Sequence, residues 1–431
     1  MRDPKKLAKS GLDALLKAGA EKAQCLLSLT DKHEMNVDAG ELSLFRTTFD
    51  TRLSMTAIKG QKKGSSSVNK ADSESIEKAA AEALAIADAS QPDEANDIAA
   101  YQVPQEFSAG SDSPDFDRMH YRLKELLNTV RARYPKIVLR QAYLDFTRER
   151  RYLVNSNGVD FVSTKGVYRC FIIFSSRDGE KVSSFNYTGV AMKDLEKEII
   201  ECGSIDILLR QSTEQIITRS VGTKFVGDVI VAPDCLEDVL GFLTASISDR
   251  PVISGTSIYK DKLNQPVASP LLTVHSKPVS DEICDGYFLT QDGYAARNST
   301  IVDRGILRTF LLSLYGSRKT GKERSVNDGR AFVVEPGHTS FEDMVKAVKK
   351  GILLVRFSGG RPNENGDFAG VAKNSYYIED GEIKYPISET MISGNFAQML
   401  RNITAVSSER IDYGFAVLPW VAFSGVVISG K

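Results

Sequence analysis

The side chains able to do chemistry in this 431-residue chain are scattered. Its four histidines, His33, His120, His275 and His338, stand far apart, whereas a zinc site needs several nitrogen or sulfur ligands converging on one point. His33-Glu34 opens an HExxx pattern but reaches Asp38 where a second imidazole would be required, so the pair reads as exposed. Cys235 with Glu237 and Asp238 shares one helical stretch, yet a thiol and carboxylates without histidine make a poor zinc set. Gly316-Ser-Arg-Lys-Thr-Gly-Lys-Glu323 nearly matches a phosphate loop, but Glu323 replaces the hydroxyl that would hold magnesium and would repel phosphate. It reads as a basic loop able to meet an acidic surface on a partner. The richest stretch is Phe357–Gly370, where Gly359, Gly360, Asn363, Gly366 and Asp367 allow tight turns or expose amides at close range. Asn363 and Asp367 carry oxygens suited to calcium, though Glu-Asn-Gly-Asp is far from a full calcium loop. Asn395 is placed to cap a helix beginning at Phe396.

Length and composition limit what these groups can serve. A chain of 431 residues exceeds one compact core, and 42% hydrophobic with 26% charged residues is a globular balance. No apolar run approaches the roughly 18 residues of a membrane helix, and the start lacks a signal-peptide core, so a cytoplasmic protein is expected. The five cysteines form no CxxC pair and read as small buried hydrophobes. The net charge is −1, and the one basic cluster is Arg318, Lys319, Lys322 and Arg324, which argues against a nucleic-acid partner.

The elements that must position these residues are legible as α+β. Helices are predicted at 3–19, Ser73–Ala89 capped by Ser73, Asp115–Tyr134, Lys193–Leu209, Pro233–Ser248 and Phe341–Lys350 capped by Ser340. Strands are predicted at Lys22–Leu29, Glu34–Val37, Leu42–Thr48, Arg52–Lys59, Ile137–Arg148, Arg151–Asn155, Asp160–Ser176 and Lys181–Gly189. Further strands are expected at Phe225–Val231, Ile306–Tyr315, Ala331–Glu335 and Gly351–Phe357. Asp380-Gly381 joins a hairpin. Residues 91–113 read as a linker. The units are an N-terminal α/β domain (1–100), a central α+β domain (114–215) and a β-rich C-terminal domain (222–431).

In order and spacing, five segments resemble the TldD/PmbA (TldE) family, once called modulators of DNA gyrase. They are the N-terminal helix–meander–helix, Ser254–Ala268, Asp303–Leu312, Val334–Asp343 and Phe357–Asn395. The resemblance implies an N-terminal helix and meander followed by a β-rich domain of that type. It implies that the catalytic partner, TldD, is a zinc peptidase with HExxxH on the helix before the stretch matching Gly255-Thr-Ser257, plus a cysteine near its C-terminus. Here the histidine places fall at Leu240 and Ala245 without a gap, or at Gly241 and Ser246 with a one-residue gap. The glutamate place becomes Gly241 or Phe242, and Asp412–Lys431 has no cysteine. The chain therefore resembles the PmbA (TldE) subunit, with no catalytic or metal-binding residue of its own and no cofactor; zinc is expected only in a partner. The resemblance further implies a non-catalytic subunit that pairs with an HExxxH-bearing TldD-like chain on an unfolded peptide, with a homodimer as an alternative. Gly359, Gly360, Asn363, Gly366, Asp367 and Asn395 are the candidate peptide- or partner-facing residues. A stand-alone hydrolase with a thiol or unadvertised metal site, or a gyrase-associated modulator, are the rival readings.

Overall fold

A computed structural model describes residues 3–359, 361–388 and 390–430. Two sheets organise an α+β fold, of eight and thirteen strands among the described residues.

The first sheet is built on long hairpins. Lys22–Asp38 pairs with Glu41–Lys59 on one side and with Ile137–Asn155 on the other, the latter from Gln24↔Asn155 to Asp38↔Gln141. The stretches expected as units 1–100 and 114–215 thus share one sheet. Three expected strand pairs fuse into long strands because charged residues such as Asp31, Lys32, Arg148 and Arg150 interrupt the apolar alternation without breaking the ladder. Arg150 pairs across strands with Asp31 at 3.1 Å. One face is covered by the helices Pro4–Ala18 and Ser73–Ala89, whose Ala79, Ala80 and Ala83 allow close approach to Leu53 and Met55. The second helix is capped by Asp72, accepting from Ser75 N at 2.9 Å, rather than by Ser73.

Residues 91–113 are not a free linker. Gln105–Ala109 adds a parallel strand beside Asp160–Asp178, held by Phe107 stacking on Phe288 with ring centroids 5.3 Å apart. The helix expected at Lys193–Leu209 is instead a 3-10 turn at Ile199–Glu201 and a helix at Ile205–Glu214; Gly203, at φ +57°, separates them. The strand expected at Ile306–Tyr315 shrinks to Ile306–Leu307, because Ser313 caps a helix at Leu314–Thr320 by accepting from Gly316 N. Among the described residues no helix is long and apolar enough to cross a membrane.

The second sheet is centred on Val417–Ser429, which pairs with Phe225–Val231, Phe332–Val334, Thr390–Asn395 and Ile403–Asp412. Val229, Ile230 and Val231 are wholly buried, a continuous apolar run covered on both faces. The helix Pro233–Ser246 follows directly. Pro233 occupies the first turn, where no backbone N–H is needed, and Leu236, Val239, Leu240 and Leu243 bury one face. Its opposite face is left to line a cleft.

Candidate functional site

That cleft measures about 660 Å³. Glu237, Asp238, Gly241, Phe242, Ala245 and Ser246 of the Pro233–Ser246 helix form one wall. Phe357 and Gly359, with Arg361–Glu364, form the facing wall, and Arg250, Pro251, Thr256 and Ser257 close one end. The base is aromatic: Phe396 lies 5.8 Å from Phe242 and stacks on Phe368 at 4.2 Å, which meets Phe357 edge-on at 5.7 Å. Gly366, at φ +94°, passes so close to Phe242 that a Cβ would stand 2.9 Å from the ring.

Two registers were open for the degenerate metal helix. Leu240 is 1% exposed and belongs to the core, whereas Gly241 and Ser246 both line the cleft. The gapped register is therefore the one whose histidine places both face the cavity. The residues there do not fit zinc: Gly241 offers no donor, and the Ser246 hydroxyl is turned onto its own helix, donating to Phe242 O at 2.8 Å. Among the described residues no three His, Cys, Asp or Glu side chains form a group that could hold a metal ion. His33 instead contacts Thr47 and the ring of Phe116, and His275 contacts Thr300 and Glu335. A thiol nucleophile finds no better support. Burial pushes up all five thiols, Cys25 and Cys284 to about 12, and Cys235 is 2% exposed.

The facing wall is braced by three of the residues singled out above. Asn363 Oδ1 accepts from Asn365 N and Asp367 N, both at 3.0 Å, and its Nδ2 donates to Asp367 Oδ2 at 3.1 Å. Asn395 Nδ2 donates to Asp367 Oδ1 at 2.8 Å, while its Oδ1 accepts from Gln398 N as the cap of Phe396–Arg401. Bonds from Asn395 and then Asn363 hold the Asp367 carboxyl below the usual range. These oxygens are engaged within the loop, and among the described residues no group of three His, Cys, Asp or Glu side chains that could hold a metal ion gathers there. Gly359 and Asn363 line the cleft; Gly366, Asp367 and Asn395 stand behind it; Gly360 lies outside the described residues. Arg356–Gly359 pairs only with Asp367–Lys373 among the described residues, leaving one edge open beside the cleft.

The Asp380-Gly381 hairpin does not reach this cleft, and its amides are not free. Asp380 N donates to Lys349 O and Gly381 N to Val348 O, both at 2.9 Å. The turn is therefore not a source of unpaired amides at the site.

The acidic wall is less obvious from sequence. Asp234, Glu237 and Asp238 fall at i, i+3 and i+4, neighbours on one helix face. Glu237 and Asp238 make no ion pair among the described residues, and desolvation in the concave wall raises all three carboxyls. Arg356 partly offsets this for Asp234 and Asp238, although its guanidinium donates to Asn186 Oδ1 at 2.9 Å. Glu237 also borders a recess of about 270 Å³ with Asp234, Arg356 and Tyr413, and a cavity of about 460 Å³ reaching Lys165 and Arg169 of the first sheet. One carboxylate thus stands where three cavities meet. The spacing was the available signal, but only the fold turns that face toward space.

The basic cluster near Gly316 is consumed within the chain. Lys319 pairs with Asp93 at 2.8 Å, Arg318 with Asp97, and Arg324 with Asp292 at 2.8 Å. The acidic surface that this basic stretch meets is the chain's own.

Residues 225–430 match the PmbA/TldA metallopeptidase C-terminal domain, and residues 27–87 match PmbA/TldA metallopeptidase domain 1. Metalloprotease PmbA of Escherichia coli O157:H7 is 25% identical over 94% of this chain and 92% of its own. A zinc metalloprotease TldD homolog of Saccharolobus solfataricus is 27% identical over 49% of this chain and 51% of its own. Among solved structures, TldE from Thermococcus kodakarensis superposes with a TM-score of 0.81 at 19% identity, covering 98% of this chain and all 100% of that one. A protein of Bacteroides thetaiotaomicron described as a candidate modulator of DNA gyrase gives 0.88 at 21% identity, covering 100% of both chains. At these identities the structural likeness establishes the fold.

Proposed function

This chain belongs to the PmbA/TldD metallopeptidase family, and from that premise we propose that it is the non-catalytic subunit of a TldD/TldE-type peptidase complex acting on unfolded peptides. One observation carries the reading. The helix face that borders the cleft presents Gly241 and Ser246 at the places where, by the resemblance, a zinc-binding member of the family carries its histidines, and a cleft of about 660 Å³ opens there. A wall without imidazoles, facing a strand edge at Arg356–Gly359 that has no strand partner among the described residues, suits holding an extended chain rather than cutting it. Extended peptides are bound at such edges by backbone hydrogen bonds, with side chains entering pockets at alternate positions. The aromatic base of Phe242, Phe357 and Phe396 would take apolar side chains, and Glu237 with Asp238 would favour cationic ones.

The catalytic zinc, in this reading, belongs to an HExxxH-bearing partner. The chain's own contribution is to bind and orient the peptide and to exclude bulk water from the shared space. The description of one structural relative as a candidate gyrase modulator supplies the rival reading. A net charge of −1 and a basic cluster already paired to Asp93, Asp97 and Asp292 leave little to neutralise phosphates.

The test is reconstitution. Purified alone, the chain should hold no stoichiometric zinc and cleave neither folded nor unfolded substrates. Mixed with an HExxxH-bearing relative, it should form a complex that cleaves an unfolded peptide faster than that relative does by itself. About one tightly held zinc per chain, with chelator-sensitive cleavage by this chain in isolation, would overturn the proposal.

A further inference from the structure

The recess of about 270 Å³ beside Glu237 is built unlike the cleft it adjoins. Four rings line it: Phe171 and Tyr187 come from the first sheet, Tyr413 and Phe415 from the turn between Ile403–Asp412 and Val417–Ser429. Phe171 and Tyr187 lie 6.0 Å apart, and Tyr413 stacks on Phe415 at 5.7 Å. Asp234 and Glu237 enter from the Pro233–Ser246 helix. Tyr413 is 4% exposed; burial, then the charge of Asp234, raise its hydroxyl, which closes no hydrogen bond of good geometry.

One cation already sits on this wall. The Arg356 guanidinium lies over the Tyr187 ring, 4.0 Å from its centroid, and donates to Asn186 Oδ1 at 2.9 Å. An aromatic face attracts positive charge, so the chain itself shows which charge the recess accepts. The balance leaves place for a second. Asp234 and Asp238 feel Arg356 only at a distance, and neither they nor Glu237 make a direct ion pair among the described residues. Three carboxylates stand against one guanidinium, and burial raises all three carboxyls, the mark of negative charge left uncompensated.

The strand edge decides what can arrive there. Along Arg356–Gly359 successive side chains alternate in face: Phe357 and Gly359 line the cleft, whereas Arg356 lines the recess. A peptide paired to the open side of that strand takes on the same alternation. Its neighbouring residues then point to the cleft and toward the recess in turn.

We propose that the recess is a seat for one lysine or arginine side chain of the held peptide, between neighbours whose apolar side chains enter the aromatic cleft. Asp234 and Glu237 balance its charge, the rings of Tyr187 and Phe415 cover its apolar stem, and the Tyr413 oxygen stands by as an acceptor. The inference rests on the reading of this chain as a peptide-holding subunit and adds the class of peptide: alternating apolar and cationic residues, in extended form.

Fluorescence anisotropy with the purified full chain tests it. The probes are labelled peptides blocked at both ends, with Leu-Lys-Leu at the centre, and counterparts carrying norleucine or glutamate in place of lysine. The lysine peptide should bind at least about tenfold more tightly than the norleucine one, and the glutamate peptide least. Tyr187→Leu keeps apolar bulk but removes the aromatic face, and Asp234→Asn keeps the bond accepted from Ser204 but removes the charge. Each should shrink the lysine preference to about twofold or less while norleucine binding and the far-UV spectrum hold. Should the buried Asp234→Asn variant fail to fold, Tyr187→Leu, at a side chain 38% exposed, still decides. Failure of every peptide to bind would remove the peptide-holding reading itself, and this seat with it. Binding without a lysine preference would overturn the seat alone. So would a preference that survives both recess variants yet vanishes in Asp238→Asn, which would put the cation on the open cleft wall. A norleucine peptide with a free amino terminus that outbinds the blocked lysine peptide would assign the recess to a terminal ammonium and overturn the side-chain seat.

Discussion

Asn395 and Asp367 are joined by a 2.8 Å hydrogen bond that fastens the start of the last short helix to the wall of the cleft. Asn395 also caps that helix, so one side chain fixes both the Gly366 turn and the position of Phe396. Asn395→Ala should cost about 1 kcal/mol through the lost cap, read by denaturant unfolding. It should also lower the activity of the reconstituted complex, because Phe396 loses its anchor at the cleft base. Since Asp367 is held below the ordinary carboxylate range, this brace is present above that range and weakens as pH falls through the folded value. Asn395→Asp should keep the cap but repel Asp367, separating the two roles.

A second prediction concerns the clasp between Asp93 and the Leu314–Thr320 helix. Asp93 accepts from Lys319, from Ala95 N at 3.0 Å and from Tyr315 Oη at 2.8 Å, and these bonds together bring its carboxyl down to about 2. A depressed pKa stabilises above the unfolded value and is lost as pH drops toward the folded one. The clasp should therefore hold at pH 5 and open between about 4 and 2. Asp93→Asn should remove that dependence and speed proteolytic nicking within residues 91–113 at neutral pH. Nicking at the wild-type rate would show that Phe107, stacked on Phe288, secures this stretch without the clasp.

How much of this was legible in sequence depended on whether the signal was local. The caps at Ser340, Asn395 and the Asp380-Gly381 turn are short-range and were readable, as was Ser73–Ala89 to both ends. The junction between Lys22–Asp38 and Ile137–Asn155 was not, because register between strands more than 100 residues apart leaves no local mark. Gln105–Ala109 carries no local strand signal, because its partner strand Asp160–Asp178 and the Phe288 ring that stacks on Phe107 both lie far along the chain. At the site, the loop 357–370 and the degenerate helix were each visible, but only the fold places Gly241 and Ser246 opposite Gly359. In sequence Glu237 stands only as a member of a poor zinc set with Cys235 and Asp238. Its position where three cavities meet is a property of tertiary packing.

Glu237 supplies the third prediction. Desolvation and the neighbouring Asp238 and Asp234 raise its carboxyl, so the charged form is disfavoured in the fold. A raised carboxyl destabilises progressively as pH climbs from the unfolded value, about 4.3, through the folded one. Glu237→Gln should then raise the melting temperature at pH 7.5 and leave it unchanged near pH 4. If the complex uses this carboxylate to hold cationic residues, the same variant should weaken binding of a lysine-containing peptide more than of its alanine counterpart.

The last prediction tests whether the cleft lies on the peptide path. Gly241 faces it, and a Cβ built there meets nothing within 4 Å, so a side chain added at this position enters the cavity without straining the helix. Replacing a helical glycine should itself stabilise by up to about 1 kcal/mol. Gly241→Ala is then the control: at least as stable as the wild type and fully active in the complex. Gly241→Trp should fold equally well yet fill much of the space between Asp238, Phe242 and Arg361. Peptide cleavage by the reconstituted complex should drop at least about tenfold, equivalent to ~1.4 kcal/mol in the barrier. Gly359→Val would be a poorer probe, because its Cβ would stand 2.4 Å from Gly370 Cα and disrupt the strand itself. A tryptophan variant that assembles normally and cleaves at the wild-type rate would remove the cleft from the peptide path. One that folds but no longer assembles would assign this wall to the partner instead.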